Sequence, residues 1–418
     1  MTQQRKRKIA RERRRRRNKK LKTLTLITLV LVVLGLALLL NWDNVFGDRF
    51  MPEPEPEPPK VTELSLLCVG DIMVHSPQLD AAYDSSTGEY DYSENYQYVK
   101  PYVQAADLAL CNVETTFGGK PYTGYPAFSS PDSMAADIKE AGFDVAITAN
   151  NHMTDRGYDG VIRTQEILKQ NGFSVIGSVM TPDEPRYIIE NVKGVKVGIV
   201  AYTYETGSGS GSVSINGCYI SDETAAIINS FNFNTLDEDC QRIKSDMDAA
   251  RAAGAEVVVV YYHWGEEYQG EPNSWQEKLA QRTADMGADV IFASHPHVPQ
   301  MMEYVTVTDS TKKVPVFYSL GNFVSNQRAE IMNDYRTEQE LMGIVNITYK
   351  EVTGITAIEM DAVPLWVDKY YDGGDLVYTV IPLDENLETN ASLQTSGHLS
   401  DAKRALEDIN ELLGRDSE

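Results

Sequence analysis

The sequence predicts an α/β protein with helix-covered sheets, preceded by one transmembrane helix. Three features carry that expectation. Short apolar runs without clear polar alternation recur between segments of helical periodicity, the pattern of strands buried on both faces. An uncharged Leu/Val/Ile-rich stretch follows a densely basic N-terminal arm. Finally, His, Asp, Asn and Glu gather where the apolar runs stop, and strand ends hold such side chains in fixed geometry.

With 418 residues and 42% hydrophobic composition, the chain can bury one large core or two. Its formal net charge of -23 hides an asymmetry. Residues 1–22 carry 13 Lys/Arg against the single acid Glu12, and the rest holds 25 Lys/Arg and 60 Asp/Glu, a net of -35. Residues 23–40 are uncharged, and at about 1.5 Å per residue a helix there spans about 27 Å, close to a bilayer's apolar thickness. Trp42 stands where an interfacial aromatic belongs, and no small-x-small cleavage pattern follows. A cleaved signal peptide and a buried core helix are the competing readings. The positive-inside rule puts the basic arm in the cytoplasm and the acidic body outside. A basic run such as 13–17 also suits nucleic acid, but beside a membrane span topology accounts for it, so no nucleic-acid partner is expected. Alternating Pro and Glu over 51–59 favours an extended, self-repelling spacer. The expected organisation is arm 1–22, transmembrane helix 23–41, spacer 42–61, body 62–383 and polar tail 384–418.

In the body, strands are expected at 65–69, 108–111, 145–148, 197–201, 257–262, 290–293 and 316–319. Helices are expected at 131–141, with Ser130 as cap and Pro131 at the first position, and at 161–170, 236–253 and 275–286. Segments 343–350 and 355–363 alternate as adjacent antiparallel strands do. The Gly/Ser-rich stretch 205–216 reads equally as a lid over a site or a tolerated surface insertion. The tail ends in an amphipathic helix at 400–413. Cys68 and Cys111 fall inside apolar strands, whereas Cys218 and Cys240 flank a polar insertion and can pair in an oxidising exterior.

Five of the six histidines lie in the polar clusters. Asp71 follows a strand and the turn residue Gly70, with His75 four residues on. Asn112 and Glu114 end the second strand, and Asn150-Asn151-His152, with Asp155 close behind, ends the third. His263 ends the most apolar run, and His295-Pro296-His297 can grip one centre from an extended segment. Any one of these alone reads as a strand-end cap or a core histidine. Together they supply the mixed oxygen and nitrogen donors that suit Mn, Fe or Zn.

The ordered motifs resemble the bacterial capsule-synthesis CapA family, the poly-gamma-glutamate synthesis accessory proteins. The resemblance runs through Gly70-Asp71-Ile72-Met73, Asn112-Val113-Glu114-Thr115 and Ala149-Asn150-Asn151-His152 with Asp155 and Gly157. It continues through His263-Trp264-Gly265-Glu266-Glu267-Tyr268, His295-Pro296-His297 with Gln300, and Ser319-Leu320-Gly321-Asn322-Phe323. That family looks like a branch of the calcineurin-like metallophosphoesterases, which implies a four-layer α-β-β-α sandwich and a site for two divalent metal ions. Carried over by motif, Asp71 and His297 would bind the first metal, and Asn151, His263 and His295 the second. Glu114 would bridge them where an aspartate is usual. His152 would be the catalytic acid, with Asp155 or a backbone carbonyl orienting it. His75 and Asn112 are possible additional ligands or contacts. His75 is separated from Asp71 by three residues where the phosphoesterase pattern has one, and Ser294 replaces the usual glycine.

Two functional classes follow. The first is a surface metallohydrolase acting on a phosphoester or a polymer. The second is a subunit that binds an anionic polymer, such as poly-gamma-glutamate or a cell-wall component, and works beside membrane synthase subunits. A non-catalytic wall-associated domain whose clusters only cap strands is a third reading, and it implies no bound metal.

Overall fold

Residues 3–42, 44, 59–207 and 211–415 are described by the computed structural model. The Pro/Glu spacer expectation falls almost entirely on 51–58, outside the described residues, as do 208–210 of the Gly/Ser stretch. Contacts divide the chain into two compact units, Met1–Pro58 and Pro59–Glu418. In the first, one helix, α1 (Gln3–Leu40), takes in both the basic arm and the apolar stretch, with no buried residue. It is long and apolar enough to cross a bilayer, which is compatible with a single-pass anchor.

In the second unit the principal strands are, in chain order, β1 (Val61–Ile72), β2 (Leu108–Val113), β3 (Val145–Ile147), β4 (Ser174–Ile176), β5 (Ile188–Val192), β6 (Val195–Tyr204) and β7 (Ser230–Phe231). They continue as β8 (Val257–His263), β9 (Val290–Ser294), β10 (Met302–Thr306), β11 (Lys313–Phe317), β12 (Gln339–Lys350), β13 (Gly354–Asp372) and β14 (Asp375–Pro382). The helices used below are α2 (Ser76–Ala82), α3 (Ser133–Ala141), α4 (Gly157–Gln170), α5 (Leu236–Ala252), α6 (Ser274–Met286) and α7 (Leu399–Leu412).

Among the described residues these strands form two seven-stranded sheets. The first runs β14-β13-β12-β1-β2-β3-β4, with β1 to β4 parallel and the β12–β14 meander antiparallel. The second runs β7-β6-β8-β9-β11-β10, with β5 antiparallel on β6. Alternate residues of each strand explain the layering. Leu64, Leu66 and Cys68 of β1 meet Ile199, Val257, Val259 and Phe292 of the second sheet in one core between the sheets. The opposite face, Leu67 and Val69, meets Met134 and Ile138 of α3. Val258 and Val260 of β8 meet Ile243 and Met247 of α5 and Leu279 of α6. The result is the four-layer α-β-β-α sandwich that the family resemblance implies.

The structure departs from expectation in several places. Helix α3 begins at Ser133 with Asp132 as the flanking residue, and Ser130 is not its cap. Ser130 instead sits 2.7 Å from the Thr115 hydroxyl, and its N–H donates to the Thr116 carbonyl. Among the described residues Cys218 and Cys240 are free thiols: Cys218 is exposed on a two-residue strand, and Cys240 lies on the buried face of α5. The Gly/Ser stretch is tied down at its base, where Thr206 N–H donates to the Ser214 carbonyl at 2.8 Å. Ile215 packs with Met153 and Val161. The polar stretch from Asp384 is part of the body, because Ala402, Ala405 and Ile409 of α7 join the core between the sheets. His398, left without a role by the sequence, bonds Asp368 of β13 at 2.8 Å.

Candidate metal centre

The carboxyl ends of parallel strands are the natural place for a site in α/β sheets. Here β1, β2 and β3 of one sheet and β8 and β9 of the other all end at one place. Strand β1 shifts register between Val69 and Asp71. Gly70 is required there, since a Cβ would stand 2.0 Å from the Gly321 carbonyl oxygen. Its N–H donates to Glu340 Oε1 at 2.8 Å, and the next N–H, of Asp71, donates to that Gly321 oxygen at 3.0 Å.

The Asp71 carboxylate, fully buried, accepts from Asn112 Nδ2 at 2.7 Å and lies 3.1 Å from His297 Nδ1. Burial raises its pKa, but the hydrogen bond to His297 and the charges of His263 and His297 outweigh that and hold it well below the usual carboxylate range. Asn112 has both ends engaged: its oxygen accepts from Asn150 Nδ2 at 3.1 Å. It is therefore a brace between Asp71 and the β3 turn. His263 Nε2 lies 2.8 Å from Asn151 Oδ1 and 3.7 Å from Glu114 Oε1. Burial lowers His263 to about 3 and drives His295 well below its ordinary value. That shift favours the neutral imidazole, the form that donates a lone pair to a metal.

His295 and His297 have φ of 110° and 59°, in the left-handed region that side chains other than glycine rarely adopt. Such outliers cost about 1–3 kcal/mol each and persist where surroundings dictate them. The surroundings here are Trp264 N–H on the Ser294 carbonyl at 3.0 Å, Tyr268 N–H on the Pro296 carbonyl at 2.7 Å, and Asn322 Nδ2 on the His297 carbonyl at 3.2 Å.

Two ligand groups result, each with its donor atoms within 4.8 Å of one another: Asp71, Glu114 and His263, and Glu267, His295 and His297. Glu114 is fully buried, and neither carboxylate oxygen has a hydrogen-bond partner among the described residues. Burial, then the Asp71 charge, raises its pKa well above the ordinary value. His295 Nδ1 is likewise buried and unpartnered among the described residues. Unpartnered anionic and imidazole atoms on residues of these two groups fit divalent cations, which would supply the missing partners.

Beside them, His152 Nδ1 lies 2.8 Å from Asp155 Oδ2, which also accepts from Phe128 N–H at 2.7 Å. The Phe128 ring meets the His152 imidazole edge-on at 4.6 Å. His75 stands apart from both ligand groups. It flanks the start of α2, with Nδ1 3.3 Å from Gln78 Oε1 and 3.3 Å from Asn326 N–H, and burial lowers its pKa to about 4.

The family model for the bacterial capsule synthesis protein PGA_cap matches residues 65–327, the span that carries these motifs. The chain belongs to that bacterial capsule synthesis family. It is 31% identical over 274 residues to the capsule biosynthesis protein CapA of Bacillus anthracis, covering 63% of this chain and 60% of that one. It is 30% identical over 295 residues to the PGA biosynthesis protein CapA of Bacillus subtilis, covering 66% and 69%. Among solved structures, the calcineurin-like phosphoesterase YfkN of Bacillus subtilis aligns with 84% of the chain and 100% of its own at 15% identity, with a TM-score of 0.39. The sulfate thiohydrolase SoxB of Thermus thermophilus aligns with 85% of the chain and 62% of its own at 14% identity, with a TM-score of 0.41. Likeness at that distance assigns no residue a role.

Within this capsule-family site, three side chains escaped the sequence reading. Glu267 was in view as part of the His263-Trp264-Gly265-Glu266-Glu267-Tyr268 motif, and its spacing from His263 was the available signal. Asn322, whose Oδ1 lies 3.0 Å from His297 Nδ1, was likewise only a motif letter. Glu340 gave none, since it lies mid-strand and meets Gly70 only through the tertiary fold.

Proposed function

We propose that this is a membrane-anchored protein of capsule or poly-gamma-glutamate synthesis or export, with its body outside the membrane and a dinuclear metal centre at the strand ends. The observation that carries the reading is the buried Glu114 carboxylate, both of whose oxygens lack partners among the described residues, in a chain of the capsule synthesis family. Asp71, Glu114, Asn151, His263, His295 and His297 would hold two divalent ions of the Mn, Fe or Zn type. Bound ions supply concentrated positive charge that grips an anionic oxygen. The net negative charge of the body repels a polyanion, and bound ions would offset that repulsion locally. An open groove of about 480 Å³ lined by Tyr122, Tyr125 and Arg156 leads toward this end of the sheets, and the Tyr125 ring lies 6.4 Å from that of His152. It offers a path for an extended polymer passing to membrane synthase subunits.

The test is complementation. In an encapsulated strain lacking its own CapA relative, the full chain should restore secreted polymer, and Glu114→Gln or His263→Ala should not. Elemental analysis of the detergent-solubilised chain should find stoichiometric metal. Metal-free wild-type protein would remove the centre and favour the wall-associated structural reading.

A second reading, a surface hydrolase, is favoured by the His152–Asp155 pair. An imidazole whose Nδ1 is held by the Asp155 carboxylate keeps Nε2 to deliver a proton to a departing oxygen. A phosphodiester and polymer hydrolysis screen decides: turnover abolished by His152→Ala with metal content intact supports it, and absence of turnover with bound metal favours the binding subunit.

A further inference from the structure

Glu267 lies on the turn after β8, four residues beyond His263, and is exposed where the other candidate ligands are buried. We propose that Glu267 is a carboxylate ligand of the metal centre, closing its solvent side opposite the buried His295 and His297. The proposal rests on the metal-centre reading above and adds a residue that no family motif assigns to it.

Three observations converge. First, the Glu267 carboxylate and the two histidines offer donor atoms within 4.8 Å of one another, and His295 Nδ1 is buried without a partner among the described residues. Imidazole donors bring no negative charge to a divalent cation, and the Glu267 carboxylate supplies it at that side. Second, the turn bearing Glu267 is fixed on both flanks. Gly265, at φ 94°, presses so closely on Gln276 that a Cβ would lie 2.8 Å from its side chain. Gln276 Nε2 donates to Gln300 Oε1 at 2.9 Å, and Gln300 Nε2 donates to the carbonyls of Gln269 at 2.9 Å and Glu271 at 3.1 Å. Tyr268, at φ 63°, donates its N–H to the Pro296 carbonyl between the two histidines, and Arg336 Nη2 holds the Tyr268 carbonyl at 3.3 Å. A turn already fixed spares the backbone ordering that ligation would otherwise require. Third, His75 is engaged by Gln78 and Asn326 and joins neither ligand group, so it does not compete with Glu267 as a donor.

The experiment titrates Mn²⁺ into metal-stripped, detergent-solubilised full chain by calorimetry, with elemental analysis after desalting. Wild type is compared with Glu267→Gln, Glu267→Asp, Glu114→Gln and the adjacent control Glu266→Gln, which removes the same charge one residue away. Glu267→Gln should lose one equivalent or weaken binding at least about tenfold, the scale of losses around metal ligands. Glu267→Asp should lose less, and Glu266→Gln should match wild type. Glu267→Gln indistinguishable from Glu266→Gln overturns the proposal, and if Glu114→Gln still loses metal the centre itself stands. Wild type that takes up no Mn²⁺ overturns both.

Discussion

Replacing Glu114 with methionine should stabilise the metal-free protein while destroying its response to metal. Its two carboxylate oxygens are fully buried and without hydrogen-bond partners among the described residues. An unsatisfied buried polar group costs about 1–3 kcal/mol, more when charged. Methionine is unbranched, of comparable length and needs no partner. In chelator, Glu114→Met should therefore gain about 1–3 kcal/mol over wild type. With metal at a hundredfold excess over its dissociation constant, wild type gains about 2.7 kcal/mol by mass action, and the variant gains little. The ranking of the two proteins thus inverts on adding metal. Urea unfolding of the full chain in detergent, followed with EDTA and with Mn²⁺, reads both halves. A variant less stable than wild type in EDTA, or one stabilised by Mn²⁺ as much as wild type, refutes the argument that Glu114 is held unsatisfied for a cation.

Gly70→Ala places a methyl 2.0 Å from the Gly321 oxygen and should cost about 1–3 kcal/mol in the urea midpoint. Because Asp71 is the next residue, Mn²⁺ affinity should fall with it in the same calorimetric titration. Glu338→Ala strands Arg328, its buried partner at 3.0 Å, and should cost about 3–5 kcal/mol in the same urea assay. Ile409→Ala in the C-terminal helix should cost about 2–5 kcal/mol, as a core site does, and a cost near zero would mean that α7 is not part of the core.

The strands that deliver the site were legible because each is an apolar run stopped by a polar cluster, and that switch is local. The alternation over 343–350 and 355–363 found the β12–β13 pair, whose register runs from Gln339 opposite Trp366 to Lys350 opposite Gly354. What escaped was non-local. Ser130 carries the side chain of a helix cap, yet a contact with Thr115 takes it out of that role. The tail looked polar by composition, while only the spacing of Ala402, Ala405 and Ile409 matters to the core they join. Short strands such as β4 and β10 carry too few residues to show a period. Within the site, residues at strand ends declared themselves. Glu340 is 270 positions from the glycine it holds, and no window of sequence contains both.

The pairing of β1 with β12 sets the order in which this protein can be completed. Val61 faces Lys350 and Cys68 faces Gly343, so the first strand of the body lies beside a partner synthesised after the whole second sheet. Until then, one edge of β1 has open hydrogen-bonding groups, the kind of edge that recruits stray strands. Such distant pairing also makes folding slow and exposes intermediates to aggregation. Asp71 sits on that waiting strand, and its Gly70 neighbour is gripped by Glu340 of β12. A chain that stalls or is cut before residue 339 would carry every candidate ligand and still lack the strand that seats the first of them. A ligand set resting on Asp71 would then be complete only once β12 is in place.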